Sequence, residues 1–223
     1  MLYSKEKIEK ALASKNYKWF DGGDYDLNIV GVRNSATGQE VTNKFDDIIT
    51  CSFRIGDEWI YKEWAMTADS GKAAVLNFTN AAGVARLVER QYRGSHMIGL
   101  HRGKYTALRQ KKPMSVYRDN NKDLVYDEDV IQTGIFGINI HRSNAKTEST
   151  IVDHWSHGCQ VFKRADDFDD FMAICETAKN IWGNSFTYTL IKSSDMAEKK
   201  PEIVFEKPKD PKPFSEKGWF KRH

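Results

Sequence analysis

The sequence predicts a mainly β protein of the α+β class, with one long helix in its C-terminal half and a short helix near its start. Apolar and polar residues alternate over several short segments between residues 27 and 117, as in half-buried strands. Apolar residues recur at helical spacing over residues 4–15 and 168–182. Glycine and asparagine separate many of these segments, which is typical of turns.

The first third of the chain predicts one helix and three strands. Residues 4–15 form the helix, with Ser4 as its N-cap. The first strand covers residues 27–32 and is followed by asparagine, serine and glycine. Residues 48–55 and 58–66 form a hairpin, because a Gly-Asp pair separates two strand-like segments.

The middle of the chain predicts an irregular connection and then further strands. Glycines interrupt residues 67–95, so no regular element is expected there. Residues 134–141 form a strand whose alternation puts Gly137, Asn139 and His141 on one face. Three shorter strands are expected before it, at 97–101, 105–110 and 114–117.

The long helix covers residues 168–182 and carries an apolar stripe at helical spacing. Asp166 or Asp167 can cap its start, and Gly183 can cap its end. A last strand is expected at 186–191.

Residues 119–127 place acids or amides at positions 1, 3, 5 and 9 of a calcium-type loop. The glycine of position 6 and the bidentate glutamate of position 12 are missing, since Leu124 and Val130 stand there. We therefore interpret this segment as a solvated loop, and bound calcium is not predicted.

Charge and composition divide the chain into three segments: a helical lead-in at 1–25, one domain at 26–191 and a flexible tail at 192–223. The tail holds nine Lys or Arg and six Asp or Glu, so it carries +3 and the rest of the chain is neutral. A neutral body argues against nucleic-acid binding. No stretch approaches the ~18 apolar residues of a membrane helix, and no apolar segment of a secretory signal follows Met1.

The three cysteines differ in their expected roles. Their odd number and wide spacing argue against a disulfide framework. Cys51 lies in the apolar stripe of a predicted strand and Cys175 in that of the long helix, so both are expected in the core. Cys159 is the candidate catalytic cysteine, because a single cysteine with histidines elsewhere in the chain is typical of a cysteine nucleophile and its base.

The segment Ser156-His157-Gly158-Cys159 stands between a strand that ends in a histidine and the long helix. A thiol attacks well only as a thiolate, so it needs a base or a positive field. No histidine follows Cys159 before the tail, and the base is therefore expected upstream. His157 is too close in sequence to face the sulfur well, whereas His141 ends a strand on the face that Gly137 leaves open. The candidates are His96, His101, His141, His154 and His157, with His141 the best placed.

The backbone around Gly158 and Cys159 would offer N–H donors to an oxyanion, and Gly158 lets that backbone approach a substrate. Two other interpretations of these residues remain open. Cys159 can pack as a small apolar residue. Alternatively, His154, His157 and Cys159 can bind zinc, with His141 as the fourth ligand.

These residues resemble the L,D-transpeptidase catalytic domain, also called the YkuD-type domain. That family has an Ile-His near the end of a strand and a [Ser/Thr]-His-Gly-Cys motif about fourteen to seventeen residues later. Here fourteen residues separate Ile140-His141 from Ser156-His157-Gly158-Cys159. The resemblance covers residues 130–191, including the helix and last strand, and is loose before about residue 110. The string at 136–142 also resembles a phage-encoded branch.

The resemblance implies a β-sandwich in which Cys159 forms a thioester with a peptide and His141 deprotonates the thiol. It implies that the Arg142 backbone carbonyl orients the imidazole. The residues implied for the substrate and oxyanion sites are Ser156, His157, Gly158, Gly137 and Asn139. This chain departs from the family in having Gln160-Val161-Phe162 after the cysteine and the bulky Arg142 after the histidine, which affects substrate preference.

The expected function is acyl transfer from peptidoglycan stem peptides, with no cofactor. Water as acceptor gives a carboxypeptidase or endopeptidase, and an amine gives a cross-linking transpeptidase. Because no secretory signal is seen, we expect a phage enzyme that is virion-associated or released to act on the cell wall. The alternative is a non-catalytic virion or wall-binding module that retains the fold.

Overall fold

The computed structural model describes residues 2–196 and consists mainly of strands. The described strands are β1 (Asn28–Arg33), β2 (Asp47–Ile55), β3 (Glu58–Thr67), β4 (Val84–Leu87), β5 (Gln91–His101), β6 (Tyr105–Gln110), β7 (Met114–Asp119), β8 (Ile131–Gly134), β9 (Ile140–Arg142), β10 (Gln160–Phe162) and β11 (Phe186–Lys192). The helices are α1 (Lys5–Ser14), α2 (Lys72–Leu76) and α3 (Ala165–Trp182), and short 3₁₀ turns cover Ser35–Thr37 and Ser193–Met196. The prediction of a mainly β protein is confirmed.

Eight strands close into a barrel in the order β1-β11-β5-β6-β9-β10-β3-β2, and β4-β7-β8 form a separate three-stranded sheet. A sandwich would consist of two open sheets, whereas here every strand of the barrel has a partner on both sides. β1 completes the closure by pairing with both β2 and β11, so no free edge is left. Two pairs of adjacent strands in the barrel are parallel, namely β1 with β11 and β9 with β10. The second of these pairs positions the candidate site.

The N-terminal helix packs on the outside of the barrel. Ser4 caps α1, as predicted, by accepting a hydrogen bond from the Lys7 N–H. The buried residues of α1 share one apolar cluster with β1 and β11, and Met196 belongs to the same cluster. The residues of this cluster are Ile8, Ala11, Leu12, Val30, Val32, Ile191 and Met196. The lead-in and the residues just after 191 therefore pack against the same barrel wall.

The predicted hairpin and both predicted core cysteines are confirmed. β2 and β3 pair in antiparallel register from Asp47 opposite Met66 to Ile55 opposite Glu58. Cys51 on β2 and Cys175 on α3 are both 0% exposed. These two thiols are consequently closed to reagents in solution.

The prediction of an irregular segment at 67–95 is wrong, since α2, β4 and the start of β5 lie there. The glycines that suggested breaks are sites of close backbone contact instead. A Cβ on Gly71 would stand 2.0 Å from the Asp153 carbonyl oxygen, and one on Gly83 would stand 1.7 Å from that of Asp119. Glycine is needed at these positions because the neighbouring backbone leaves no room for a Cβ atom.

The predicted strand at 134–141 is also interrupted, because β8 ends at Gly134 and β9 begins only at Ile140. The Gln110 side chain replaces a strand partner: its Oε1 accepts from the Phe136 N–H at 3.0 Å and from the Ile138 N–H at 2.9 Å. Gly137 between them has φ of 76°, a left-handed conformation that favours glycine. The strict alternation of faces predicted for this segment therefore fails.

The long helix is longer and capped differently than predicted. Its N-cap is Arg164 without a side-chain cap, so the prediction of Asp166 or Asp167 as cap is wrong. Both aspartates lie in the first turn, where carboxylates interact favourably with the helix dipole. The helix ends at Gly183 as predicted, with φ of 86°.

Within residues 2–196, no helix is long and apolar enough to cross a membrane. The flexible tail was predicted to begin at 192, which is too early, because Lys192 pairs with Arg33 and Met196 packs on the barrel. The rest of the predicted tail, from 197 onward, lies outside the described residues.

Candidate active site

The candidate nucleophile and base lie on one face of the barrel wall. β9 and β10 pair in parallel, with Ile140 opposite Gln160 and His141 opposite Val161. Cys159 directly precedes β10. Side chains alternate along a strand, and opposite residues point to the same side of the sheet. Cys159 and His141 therefore lie on the same face of the sheet, on neighbouring strands and offset by two residues along them.

The other face of β10 packs into the barrel. Gln160 and Phe162 are both 0% exposed and belong to the barrel core. The Tyr188 hydroxyl donates to Gln160 Oε1 at 2.7 Å, which satisfies the buried amide oxygen. These two side chains therefore serve core packing, and neither reaches the face of Cys159.

The His141 ring is held in one tautomer by its neighbours. Its Nδ1 lies 2.8 Å from the Arg142 carbonyl oxygen, the contact expected for an orienting carbonyl. The Tyr105 hydroxyl lies 3.3 Å from both Nδ1 and the Arg142 oxygen. A carbonyl can only accept, so the proton resides on Nδ1 and leaves Nε2 as the basic nitrogen.

His141 is neutral across the physiological range. Burial, and after it the neighbouring charge of His101, lowers the pKa of His141 to about 3. The two imidazole rings stack with their centroids 4.3 Å apart. Because two stacked, buried imidazoles disfavour any added positive charge, His141 rests as a neutral imidazole whose Nε2 carries no proton.

The Cys159 sulfur is half-buried and is in contact with the backbone of the 135–139 segment. Its S–H donates to the Gly137 carbonyl at 3.3 Å. Burial raises the pKa of the thiol, while a hydrogen bond from the Asn139 backbone N–H and the charge of Arg102 oppose that rise. The resting cysteine is therefore a protonated thiol beside a backbone donor that can stabilise a developing thiolate.

Among residues 2–196 no hydrogen bond joins Cys159 to His141, since the thiol proton is directed at Gly137. Catalytic hydrogen bonds are often long or absent without substrate. With both groups neutral, the arrangement can perform general-base activation of a thiol, and it holds no preformed thiolate–imidazolium pair.

The Ser156-His157-Gly158-Cys159 motif forms a tight turn closed by its own serine. The buried Ser156 hydroxyl accepts from the Gly158 N–H at 3.1 Å and donates to the Cys159 carbonyl at 2.9 Å. A Cβ on Gly158 would stand 2.5 Å from the Ala85 carbonyl oxygen. The expectation that the Gly158 N–H serves an oxyanion is wrong in this arrangement, because Ser156 already takes that donor. The Cys159 and Asn139 N–H groups remain as donors near the sulfur.

The remaining predicted site residues have separate positions. The Asn139 side chain is structural: its Oδ1 accepts from the Gln110 N–H at 2.9 Å, and its Nδ2 lies 3.2 Å from His101 Nδ1. Gly137 is exposed and contributes the carbonyl that meets the thiol. His157 is exposed and lines a neighbouring groove.

That groove has a volume of about 420 Å³ and lies between the motif and the three-stranded sheet. It combines aromatic, polar and cationic groups. The Arg118 guanidinium stacks 4.6 Å above the Phe136 ring and forms no ion pair within the described part of the chain. An unpaired guanidinium beside an apolar wall suits a peptide that carries carboxylates. The lining includes Phe78, Asn80, Arg118, Ile135, Phe136 and His157.

Three residues near the site were not predicted, namely His101 in its stacking role, Arg102 and Tyr105. They belong to the hairpin of β5 and β6, whose turn gives Arg102 a φ of 49°. The charge of Arg102 lowers the pKa of His141, His157 and Cys159. The Gly103-Lys104 pair signals the turn in the sequence, but no local pattern shows that this turn lies beside His141.

The zinc interpretation receives no support from the side-chain positions. No group of three or more His, Cys, Asp or Glu side chains in residues 2–196 is arranged to hold a metal ion. His154 stacks on Trp155, with ring centroids 4.9 Å apart. His141 meanwhile uses Nδ1 on the Arg142 carbonyl.

Alkylation of Cys159 by iodoacetamide is expected to accelerate about tenfold per pH unit from pH 6 to 8, with no plateau below pH 9. The raised pKa of Cys159 keeps the thiolate fraction small, and neutral His141 supplies no positive charge to increase it. Mass spectrometry of quenched samples measures the rate, and Cys159→Ser is the control that should lose labelling. A rate that levels off by pH 7 would indicate a thiolate–imidazolium pair instead.

Comparison of this chain with family models, with curated proteins and with solved structures found no match.

Proposed function

We propose that this protein is a cysteine-nucleophile acyltransferase or peptidase of the L,D-transpeptidase type, acting on peptidoglycan stem peptides. The observation that carries the proposal is the shared face of Cys159 and His141 on paired strands, with Nδ1 of the imidazole on the Arg142 carbonyl. The resemblance of residues 136–142 to a phage-encoded branch supports a virion-associated or phage-released enzyme as the setting.

The reaction uses the two neutral groups in sequence. His141 Nε2 takes the thiol proton as the Cys159 sulfur attacks the peptide carbonyl, and the oxyanion accepts from backbone N–H groups. Collapse breaks the carbon–nitrogen bond, and the imidazolium returns its proton to the leaving amine. The resulting thioester is then attacked by water or an amine, His141 removes the acceptor's proton, and the thiol is restored.

The groove supports a carboxylate-bearing peptide as substrate. Stem peptides combine small apolar side chains with free carboxylates, and the groove places Arg118 and Phe136 side by side next to the motif. His157, two residues before Cys159 in the chain, also lines this groove. Arg102 provides a second positive charge, which lowers the pKa of Cys159.

A non-catalytic wall-binding module is the second candidate. The thiol is directed at the Gly137 carbonyl, and its raised pKa keeps it protonated, which an inert cysteine would also show. In that case the groove would bind a peptide without cleaving it.

Incubation with a purified tetrapeptide-stem fragment separates the two candidates. The acyltransferase is expected to release D-alanine and to gain the mass of a covalent adduct with a carbapenem-type acylating agent. Peptide digestion should locate the adduct at Cys159, since Cys51 and Cys175 are buried. Binding of the fragment without D-alanine release or adduct would reject the enzyme and favour the module.

A further inference from the structure

The loop between β7 and β8 carries a set of oxygen ligands that the proposed function does not use. Acids or amides occupy positions 1, 3, 5 and 9 of residues 119–127, namely Asp119, Asn121, Asp123 and Asp127. The sequence pattern alone favours a solvated loop, because two signature positions of a calcium loop are absent. The side chains give a reason to revise that interpretation.

Asp119 is the first reason. The residue is only 2% exposed, and its Oδ2 is buried with no hydrogen-bond partner. Its Oδ1 accepts one long bond of 3.4 Å from the Asn121 N–H. The Asn121 side chain donates to Asp123 and Asp127, so the three carboxylates lie around this one residue. A buried carboxylate oxygen without a donor is unfavourable unless a cation or proton compensates it.

The second reason is that no basic side chain neutralises the cluster. No lysine, arginine or histidine of residues 2–196 forms an ion pair with Asp119, Asp123 or Asp127. Lys122, within the loop, lies 4.9 Å above the Phe78 ring instead. Three carboxylates thus stand close together without a protein cation, and their mutual repulsion favours binding of a metal ion.

The Asn121 amide stands where such an ion would bind. Its Nδ2 donates to Asp123 Oδ2 and to Asp127 Oδ2, both at 3.1 Å. The amide nitrogen therefore bridges two carboxylates in the manner of a weak cation. Its Oδ1 accepts from the Asp123 N–H at 3.0 Å. Rotation of the amide would give up this bond and direct Oδ1 to the carboxylates as a third oxygen ligand.

The backbone of the loop offers one more ligand. The Leu124 carbonyl accepts from the Val41 N–H, and the Tyr126 N–H donates to the Gln39 carbonyl. Among the described residues, the Val125 carbonyl between them receives no hydrogen bond. Position 7 of a calcium loop contributes its backbone carbonyl, and Val125 stands at that position.

We propose that residues 119–127 form a Ca²⁺ site with the side chains of Asp119, Asn121, Asp123 and Asp127 and the Val125 carbonyl as ligands. Ca²⁺ accepts an irregular set of hard oxygen ligands more readily than Mg²⁺ does. The acidic side chains do not yet surround one point in residues 2–196, so binding requires the Asn121 rotation and small shifts of the carboxylates. Water completes the coordination.

Calcium at this position would stabilise the sheet that lines the groove. The loop leaves β7 at Asp119, which pairs with Val84 of β4, and returns to β8. It also carries Tyr126, whose hydroxyl donates to the Ser70 carbonyl, and Glu128, whose carboxylate lies 2.7 Å from the buried Arg86. Binding therefore selects the folded arrangement of several elements and raises the thermal midpoint.

Titration of the EDTA-treated full chain with CaCl₂ tests the proposal. Calorimetry is expected to show one saturable site per chain, and Ca²⁺ should raise the Tm more than MgCl₂ or NaCl of equal ionic strength. Asp123→Asn and Asp127→Asn should weaken binding by about 10- to 100-fold. These side chains are exposed or half-buried, so both variants are expected to fold.

Asp129→Asn is the matched control, because Asp129 is an exposed aspartate of the same loop outside the ligand positions. It should leave Ca²⁺ affinity unchanged. Absence of both heat and a Tm shift in wild-type protein at about 5 mM CaCl₂ would overturn the proposal. An equal loss of affinity in Asp129→Asn would also overturn it, because it would show that Ca²⁺ only screens the acidic surface.

Discussion

Replacing Cys159 by alanine is expected to reduce D-alanine release from a tetrapeptide stem by about 10⁴-fold or more. The substitution removes the only described thiol that a reagent can reach, since Cys51 and Cys175 are buried. No other side chain on that face of β9 and β10 is a nucleophile of comparable strength at neutral pH. Chromatography of released D-alanine measures the effect, and a carbapenem-type agent should no longer add mass to the protein.

Loss of D-alanine release identifies the nucleophile only if the alanine variant still folds. Cys159 is half-buried beside Phe45, Val152 and Val161, so alanine removes only a small apolar contact. We expect little change in the thermal midpoint, with Cys159→Ser as a control of nearly equal volume. Retention of wild-type D-alanine release by the alanine variant would show that Cys159 is not the nucleophile.

Replacing His141 by asparagine is expected to lower the rate of acyl transfer by about 10²- to 10⁴-fold. The Asn amide can still donate to the Arg142 carbonyl, as Nδ1 does at 2.8 Å in the native protein. The basic Nε2 is lost, so no group takes the thiol proton as the sulfur attacks. Single-turnover acylation by the tetrapeptide stem measures this step directly.

Two further measurements separate loss of the base from loss of structure. Alkylation of Cys159 at pH 9 should persist in His141→Asn, because hydroxide then supplies the thiolate. His101→Asn should cause a smaller loss of acyl transfer, since His101 only stacks on the base and pairs with the Asn139 amide. Acyl transfer that is equally impaired in both variants would argue that His141 has only a structural role.

Elements with strong local signals were predicted close to their observed bounds. Ser4 and the apolar spacing after it predicted α1, and the Gly-Asp turn predicted the hairpin of β2 and β3. The helical stripe from Phe168 predicted α3, although its start lies earlier and its cap is Arg164. Caps, turns and periodicity involve residues only a few positions apart, so a sequence displays them directly.

Predictions that depended on distant partners were less successful. The segment 134–141 alternates like a strand, yet the Gln110 side chain takes its N–H groups and the strand is interrupted. The Gly158 N–H was expected to serve an oxyanion, but the Ser156 hydroxyl occupies it. Both outcomes depend on which acceptor a folded neighbour presents, and local pattern carries no record of that competition.

The sequence by itself determined the class of the fold, the helices at both ends of the described chain, and a histidine and cysteine 18 positions apart. Only the tertiary structure decided that β9 and β10 pair in parallel, which puts His141 and Cys159 on one face. It also brought Arg102 and Tyr105 to them from another hairpin. The physical reason is that register between strands follows from closure of the whole barrel, a cooperative property of residues far apart in the chain.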